Sequence, residues 1–114
     1  MEANALIQDL NKSYELGLRD VPTLAELETL LAERVNGMIR QDFGALVQLL
    51  YRIDVNEARL RGLLQENAGE DAALVIARLI LERQWQKIET RRRYRQDPNG
   101  EGNRQDPGGG EERW

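Results

Sequence analysis

"AALVIARLIL", residues 72–81, decides the fold class of this 114-residue chain. Nine of these ten residues are apolar, and Arg78 is the exception. A helix that is apolar nearly all round is buried nearly all round, so this segment is predicted to be the central helix of a bundle. The helix is expected to continue among charged residues to Gln96. At about 25 residues and ~1.5 Å per residue, its second half is predicted to project past the core or to pack against another copy.

Apolar residues recur at helical spacing before this segment as well, and no run alternates as a β-strand would. The first helix is predicted over residues 3–16, followed by a turn around Pro22. Thr23 and Glu26 form a capping box that begins the second helix. Asp42 is expected to cap a third helix, although the nearly continuous apolar phase leaves one long kinked helix as the alternative.

A short fourth helix is predicted to begin at the capping pattern of residues 54–57 and to end at residues 67–69. The chain is therefore expected to be an all-α bundle of four or five helices with a long, protruding C-terminal helix. The side chains expected to face the core share helical spacing: Leu6, Ile7, Leu10, Tyr14 and Leu18; Leu24, Leu27, Leu31, Val35, Met38 and Ile39; Phe43, Leu46, Val47, Leu50 and Ile53; Leu60, Leu63 and Leu64.

Glycine and proline mark the end of the folded part. Residues 97–113 contain no aliphatic or aromatic side chain, and they hold five of the ten glycines and two of the three prolines. Such a segment cannot bury enough apolar surface to offset the entropy lost on ordering. We therefore predict a helical bundle over residues 1–96 and a flexible Gly/Pro-rich tail over residues 97–114.

Cysteine and histidine are both absent, and Ser13 is the single serine. The chain therefore lacks the usual zinc ligands, a histidine general base and the Ser-His or Cys-His nucleophile pairs. Its acidic residues do not fall into the spacing of a di-metal, EF-hand or DxD site. From this pattern we predict a protein that is not an enzyme and that uses no metal or cofactor.

The composition is typical of a soluble protein, with 32% charged residues and a net charge of −4. No apolar stretch approaches the ~20 residues of a transmembrane helix. Glu2 stands where a secretory signal peptide carries positive charge, and the absence of cysteine gives no support for secretion. We therefore expect a cytoplasmic protein with no membrane partner.

Residues 83–95 are basic in an otherwise acidic chain, with six arginine or lysine residues against one acidic residue, Glu89. In the simplest interpretation these cations favour the helix C-terminus and pair with acids elsewhere. Alternatively, they contact an acidic protein or a second subunit, or they bind the phosphates of nucleic acid. The sequence pI of about 4.9 argues against nucleic acid. The residues of the phosphate-binding alternative are Arg83, Lys87, Arg91, Arg92 and Arg93.

Three segments resemble a family of small all-helical bacterial proteins whose function is unassigned. They are Leu-Leu-Tyr-Arg-Ile-Asp-Val at residues 49–55, Ile-Ala-x-Leu-Ile-x-Glu-Arg-Gln at residues 76–84, and an ending of the Glu-Glu-Lys-Trp type at residues 111–114. Arg113 replaces the lysine of that ending. The resemblance implies a helical fold and a bacterial protein, and it implies no chemistry.

The tail ends in Trp114, which is either tolerated by chance or serves as the anchor of a docking peptide. Tryptophan is a preferred residue at binding hot spots, Arg113 supplies a planar donor fork, and a free carboxylate can enter a backbone nest. We therefore predict an interaction or regulatory adaptor for an unidentified protein partner, with a homo-oligomer as a second alternative. The residues predicted to bind the partner are Trp85, Tyr94, Glu111, Glu112, Arg113 and Trp114.

Overall fold

Helix α5 (Ala72–Gln96) is the central element, because all four other helices of the described range contact it. A computed structural model describes residues 1–96. Four helices precede α5: α1 (Ala3–Tyr14), α2 (Leu24–Gln41), α3 (Phe43–Ile53) and α4 (Glu57–Glu66). No strand occurs in residues 1–96. The predicted all-α bundle is thus confirmed, while the predicted flexible tail lies outside the described residues.

The core lies between α2 and the first half of α5. Leu27, Leu31 and Val35 of α2 are fully buried, as are Ala77 and Ile80 of α5. Burying each large aliphatic side chain stabilises the fold by about 1.5–3 kcal/mol, so this contact carries much of the stability. The central position predicted for residues 72–81 is confirmed.

Arg78, the exception in that apolar segment, lies at the surface. Its guanidinium pairs with Glu28 of α2 at 3.4 Å and with Glu70 at 3.6 Å. Arg78 therefore lies on the solvent-exposed side of this part of α5, where it can pair with both acidic residues.

Asp42 separates α2 from α3, so the alternative of one kinked helix is wrong. Its backbone leaves the helical region (φ −156°, ψ 74°), and its N–H donates to the carbonyl of Met38 at 2.8 Å, which ends α2. Its carboxylate accepts from the N–H of Ala45 at 3.1 Å, which begins α3. The predicted Thr23 cap is also formed, since its hydroxyl accepts from the N–H of Glu26 at 3.1 Å.

Helix α1 is two residues shorter than predicted. Glu15 adopts a left-handed conformation (φ 56°) and ends the helix after Tyr14. The side chain of Asn11 then holds the backbone of Leu18 through two hydrogen bonds of 2.9 and 2.8 Å. This clamp turns Leu16 and Leu18 into the core although neither residue is helical.

The predicted start of α4 is displaced, because Asp54 is not its cap. Asp54 ends α3 in a left-handed conformation (φ 68°), and Asn56 caps α4 by accepting from the N–H of Arg59 at 2.9 Å. Helix α4 lies on the edge of the bundle. Its expected core residues, Leu60, Leu63 and Leu64, are only half-buried.

Helix α1 packs beside the second half of α5 as far as Arg92, so the predicted projection of that half is limited to its last turn. Ile88 and Gln84 are buried there, and Arg92 pairs with Glu2 near the start of α1 at 2.9 Å. The part of α5 before this last turn does not project, because α1 supplies both apolar surface and acidic partners to it. Among residues 1–96, no helix combines the length and the apolar character needed to cross a bilayer.

Candidate interaction surfaces

Three of the six cations in the basic segment pair with acidic groups of the same chain. Arg83 pairs with Asp54 at 3.3 Å, Arg91 with Asp9 at 2.7 Å, and Arg92 with Glu2 at 2.9 Å. Hydrogen bonds from Arg92 lower the pKa of the Glu2 carboxyl below its ordinary 4.5. These pairs match the simplest interpretation of the basic run, in which some of its cations pair with acids elsewhere in the chain.

Lys87 and Arg52 meet at the ring of Tyr14. The Nζ of Lys87 donates to the Tyr14 hydroxyl at 3.2 Å and lies 5.9 Å from the ring centre. The guanidinium of Arg52 lies 5.1 Å from the same centre and donates to the carbonyl of Ser13 at 2.9 Å. Of the five residues of the phosphate-binding alternative, Arg93 alone has neither an ion pair nor a side-chain hydrogen bond within residues 1–96.

The two partner-binding candidates within the described range differ in exposure. Trp85 is half-buried against the core, and the guanidinium of Arg92 covers its ring at 5.2 Å from the centre. Tyr94 is 76% exposed on the last turn of α5, between the exposed Arg93 and Arg95. The other four candidates, Glu111, Glu112, Arg113 and Trp114, lie outside the described residues. Tyr94 is therefore the better placed of the two to touch a partner.

A shallow groove of about 300 Å³ lies between the start of α4 and α5. The charged residues that line it form ion pairs across it. The Nη2 of Arg59 donates to both carboxylate oxygens of Glu82, at 2.9 and 3.1 Å, and Arg83 pairs with Asp54. Within residues 1–96, no group of three acidic side chains is placed to hold a metal ion. The charged residues of the groove are therefore used in ion pairs that connect the start of α4 and the end of α3 to α5.

The outward side of α3 is the surface that the sequence-based core assignment missed. Phe43, Val47 and Tyr51, spaced four residues apart, are 60%, 51% and 84% exposed. Phe43 and Val47 were expected to face the core, and that expectation is wrong. We call these three residues, with Gly44 and Gln48 beside them, the α3 outer face.

Large apolar residues cover more than half of the circumference of α3, and this explains the error. Leu46, Leu49 and Ile53 point inward against α2 and α5, while an equally apolar stripe points outward. The spacing of apolar residues does not distinguish the two sides. The single charged residue of α3, Arg52, does not mark this side either, because its side chain turns toward Ser13 and Tyr14 of α1.

Comparison of the chain with protein-family models, with curated proteins and with solved structures gave no match. The resemblance of residues 49–55, 76–84 and 111–114 to a bacterial family therefore stays a prediction.

Proposed function

We propose that this protein is a non-enzymatic interaction protein, an adaptor or regulatory subunit that docks a partner through residues 111–114 and the end of α5. The exposure of Tyr94 carries the proposal. An exposed aromatic ring beside arginine side chains is the kind of contact that dominates protein–protein binding energy.

The end of α5 offers this contact because its last turn passes beyond the ion pairs that tie α5 to α1. Arg93 and Arg95 are exposed and have no acidic partner among residues 1–96. Eighteen further residues follow Gln96 and end in Trp114. The flexible segment predicted from the composition would span about 20–25 Å on average at that length, which would let one partner contact both Tyr94 and Trp114.

A matched set of capture experiments tests this proposal. Full-length protein, Trp114→Ala, Trp114→Phe and a chain ending at Gly110 are each used to capture proteins from a native lysate. We expect one or more partners to be lost from the Trp114→Ala and truncated samples and kept by Trp114→Phe. Tyr94→Ala is expected to weaken the same partners. Identical captures from all samples contradict the proposal.

Nucleic-acid binding by residues 83–95 is the weaker alternative, because three of its arginines already hold acids of the same chain. A titration of random duplex DNA at two salt concentrations separates the two functions. Phosphate binding weakens steeply with salt, whereas docking through tryptophan does not. Tight, salt-sensitive binding that Arg93→Ala weakens is the result that favours the alternative.

A further inference from the structure

Lys87 is the middle member of a row of three cations on α5, and it differs from its two neighbours in its partner. Arg83, Lys87 and Arg91 follow each other at intervals of four residues, which places them on one side of the helix. The first pairs with Asp54 at 3.3 Å, and the third pairs with Asp9 at 2.7 Å. The described part of the chain thus supplies an acid to each flanking cation but a neutral phenol to Lys87 itself.

The contact between Lys87 and Tyr14 does not balance the charge of the ammonium group. The Nζ lies 3.2 Å from the hydroxyl oxygen and 5.9 Å from the ring centre, so it lies beyond the oxygen rather than over the face of the ring. An aromatic ring attracts a cation at its face. Both side chains are half-buried. A partly desolvated ammonium with one neutral acceptor is costly, because charges that are removed from water are normally paired with opposite charges.

Arg52 brings a second cation to the same tyrosine from the end of α3. Its guanidinium lies 5.1 Å from the ring centre, and its Nη2 donates to the carbonyl of Ser13 at 2.9 Å. This bond holds the exposed guanidinium beside the end of α1, while its other N–H groups have no acceptor within the described range. Neither Arg52 nor Lys87 forms an ion pair there. Two positive charges therefore lie beside one ring with no acid paired to either.

We infer that Tyr14, Arg52 and Lys87 form a binding site for the phosphoryl group of a small molecule. Each of these residues comes from a different helix, and each keeps donors that no acceptor of residues 1–96 uses. These donors are the hydroxyl proton, the remaining guanidinium N–H groups and the remaining ammonium protons. A guanidinium fork matches two oxygens of a phosphate, and an ammonium adds a compact charge. We call these three residues the Tyr14 site.

The charge and the donors of the Tyr14 site favour a phosphoryl group over a carboxylate. A phosphate monoester carries a charge of about −1.5 to −2 at neutral pH and three acceptor oxygens, so it balances both cations and also accepts from the hydroxyl. A carboxylate has a single negative charge, which leaves one of the two cations unbalanced.

A nucleic-acid backbone fits the Tyr14 site less well than a small phosphorylated molecule does. Binding along a backbone requires a row of cations that can each neutralise a phosphate. The cations that precede and follow Lys87 in its row, Arg83 and Arg91, already hold acids of the same chain. The Tyr14 site instead gathers its donors from three helices around one point.

The first test titrates the isotope-labelled full chain with inorganic phosphate and with pyrophosphate, and follows the backbone amides by NMR. Ionic strength is held constant, because salt screens exposed charges. We expect saturable shifts centred on residues 13–15, 51–53 and 86–88 that share one dissociation constant. The probe that binds more tightly shows whether the site takes a single or a double phosphoryl group. Acetate at the same concentrations is expected to give no saturable shift.

Substitutions remove the donors of the Tyr14 site one at a time. Lys87→Met keeps a side chain of similar length and is expected to weaken phosphate binding about tenfold, because hydrogen bonds between charged groups are the stronger ones. Tyr14→Phe removes only the hydroxyl and is expected to weaken binding about threefold. Arg52→Lys keeps the charge without the planar fork, so its affinity is expected to lie between those of the native chain and Arg52→Gln.

Arg93→Met is the matched control, because it removes one positive charge from an exposed position of the same helix. It is expected to leave the dissociation constant for phosphate unchanged. Tyr14→Phe keeps the packing of the ring against the core, so it tests the site even if Lys87→Met does not fold.

Several results overturn the inference, each on its own. The absence of a saturable shift with both phosphate probes shows that the chain has no such site. Equal binding of acetate shows a general contact for anions. Equal weakening by Lys87→Met and Arg93→Met shows that phosphate responds to the overall charge of α5. Binding by the chain ending at Gly110 but not by the full chain assigns the two cations to acidic residues of the tail. None of these results bears on the capture of partners by Trp114, which the previous experiment tests separately.

Discussion

The buried side-chain amide of Gln84 in α5 donates a hydrogen bond to the carboxylate of Asp9 in α1, 75 positions earlier in the chain. The other carboxylate oxygen of Asp9 accepts from Arg91 at 2.7 Å. The amide oxygen of Gln84 has no hydrogen-bond partner among residues 1–96. Asp9 thus fixes α1 against α5 through one buried donor, Gln84, and one exposed donor, Arg91, while the amide oxygen of Gln84 is left unpaired among residues 1–96.

Gln84→Glu is expected to destabilise the protein by about 3 kcal/mol near neutral pH, because it places a second carboxylate against Asp9 in a buried site. Burial and the neighbouring charge raise the folded-state pKa of the introduced carboxyl above its unfolded value. The folded form then takes up the proton more readily, so the deficit shrinks as pH falls toward about 5. Urea unfolding of both proteins at the two pH values measures the effect.

Gln84→Met is the control for that prediction. It keeps a similar volume and removes the amide together with its unpaired oxygen, while Asp9 keeps Arg91. We expect a loss of about 1 kcal/mol or less with no dependence on pH between 5 and 7. If Gln84→Glu behaves like Gln84→Met at every pH, the site is more solvated than the structure indicates.

Asp42→Ala removes one cap from the junction of two helices. The carboxylate bond to Ala45 is lost, and the N–H of Ala45 keeps only the backbone carbonyl of residue 42, at 3.1 Å. We expect the free energy of unfolding to fall by about 1 kcal/mol, as for other N-cap losses. Asp42→Asn, which keeps an acceptor oxygen, is expected to recover most of that loss in the same urea titration, and a full-sized loss in Asp42→Asn argues that charge rather than capping matters.

The ion pair between Glu2 and Arg92 makes a pH-dependent contribution to stability. Hydrogen bonds from Arg92 lower the pKa of Glu2 in the folded state, so this contribution is present above the ordinary value of 4.5 and is lost as pH falls through the lowered value. Glu2→Gln is therefore expected to be less stable than the native protein near neutral pH and equally stable in strong acid.

Thermal unfolding at several pH values measures the difference between the two curves. Glu57→Gln is the matched control, because Glu57 lies 3.8 Å from Arg61 in an exposed pair on a single helix. That pair joins no separate helices and is expected to contribute less. A constant gap between native protein and Glu2→Gln at all pH values contradicts the assigned role of Glu2.

Helix α4 is expected to open before the rest of the bundle, because it has no fully buried side chain. It is held to α5 by half-buried leucines and by the exposed pair of Arg59 with Glu82. Amide hydrogen exchange is expected to be faster in residues 57–66 than in residues 27–35 and 73–81. Equal protection across all three segments indicates that α4 opens only with global unfolding.

Some of the fold was predictable from the sequence because helix formation depends on neighbours along the chain. Thr23 and Asp42 cap the helices that they were expected to cap, and residues 72–81 form the central helix. Asp54 shows the limit of this reasoning. Aspartate is a common N-cap residue, but the N–H of Asp54 donates to the last carbonyls of α3, so Asp54 ends that helix. Asn56 caps α4 instead.

The candidate surfaces were less predictable, because exposure is a property of the assembled bundle. Tyr94 and Trp85 lie nine residues apart and therefore on opposite sides of α5, and only the packing of the bundle leaves one exposed while Arg92 covers the other. Phe43 and Val47 belong to a helix with two apolar sides, and no residue close to them in the sequence indicates which side is buried. Residues 111–114 keep the role predicted from the sequence, as a proposal.

By itself the sequence determined an all-helical bundle of four or five helices, since apolar spacing and caps act over a few neighbouring residues. Only the tertiary structure decided which side of α3 is left outside and which acid holds each arginine of α5. Those outcomes depend on groups brought together from distant parts of the chain, as Asp9 and Gln84 are. A bundle of this size has too little interior to bury every apolar side that its helices present.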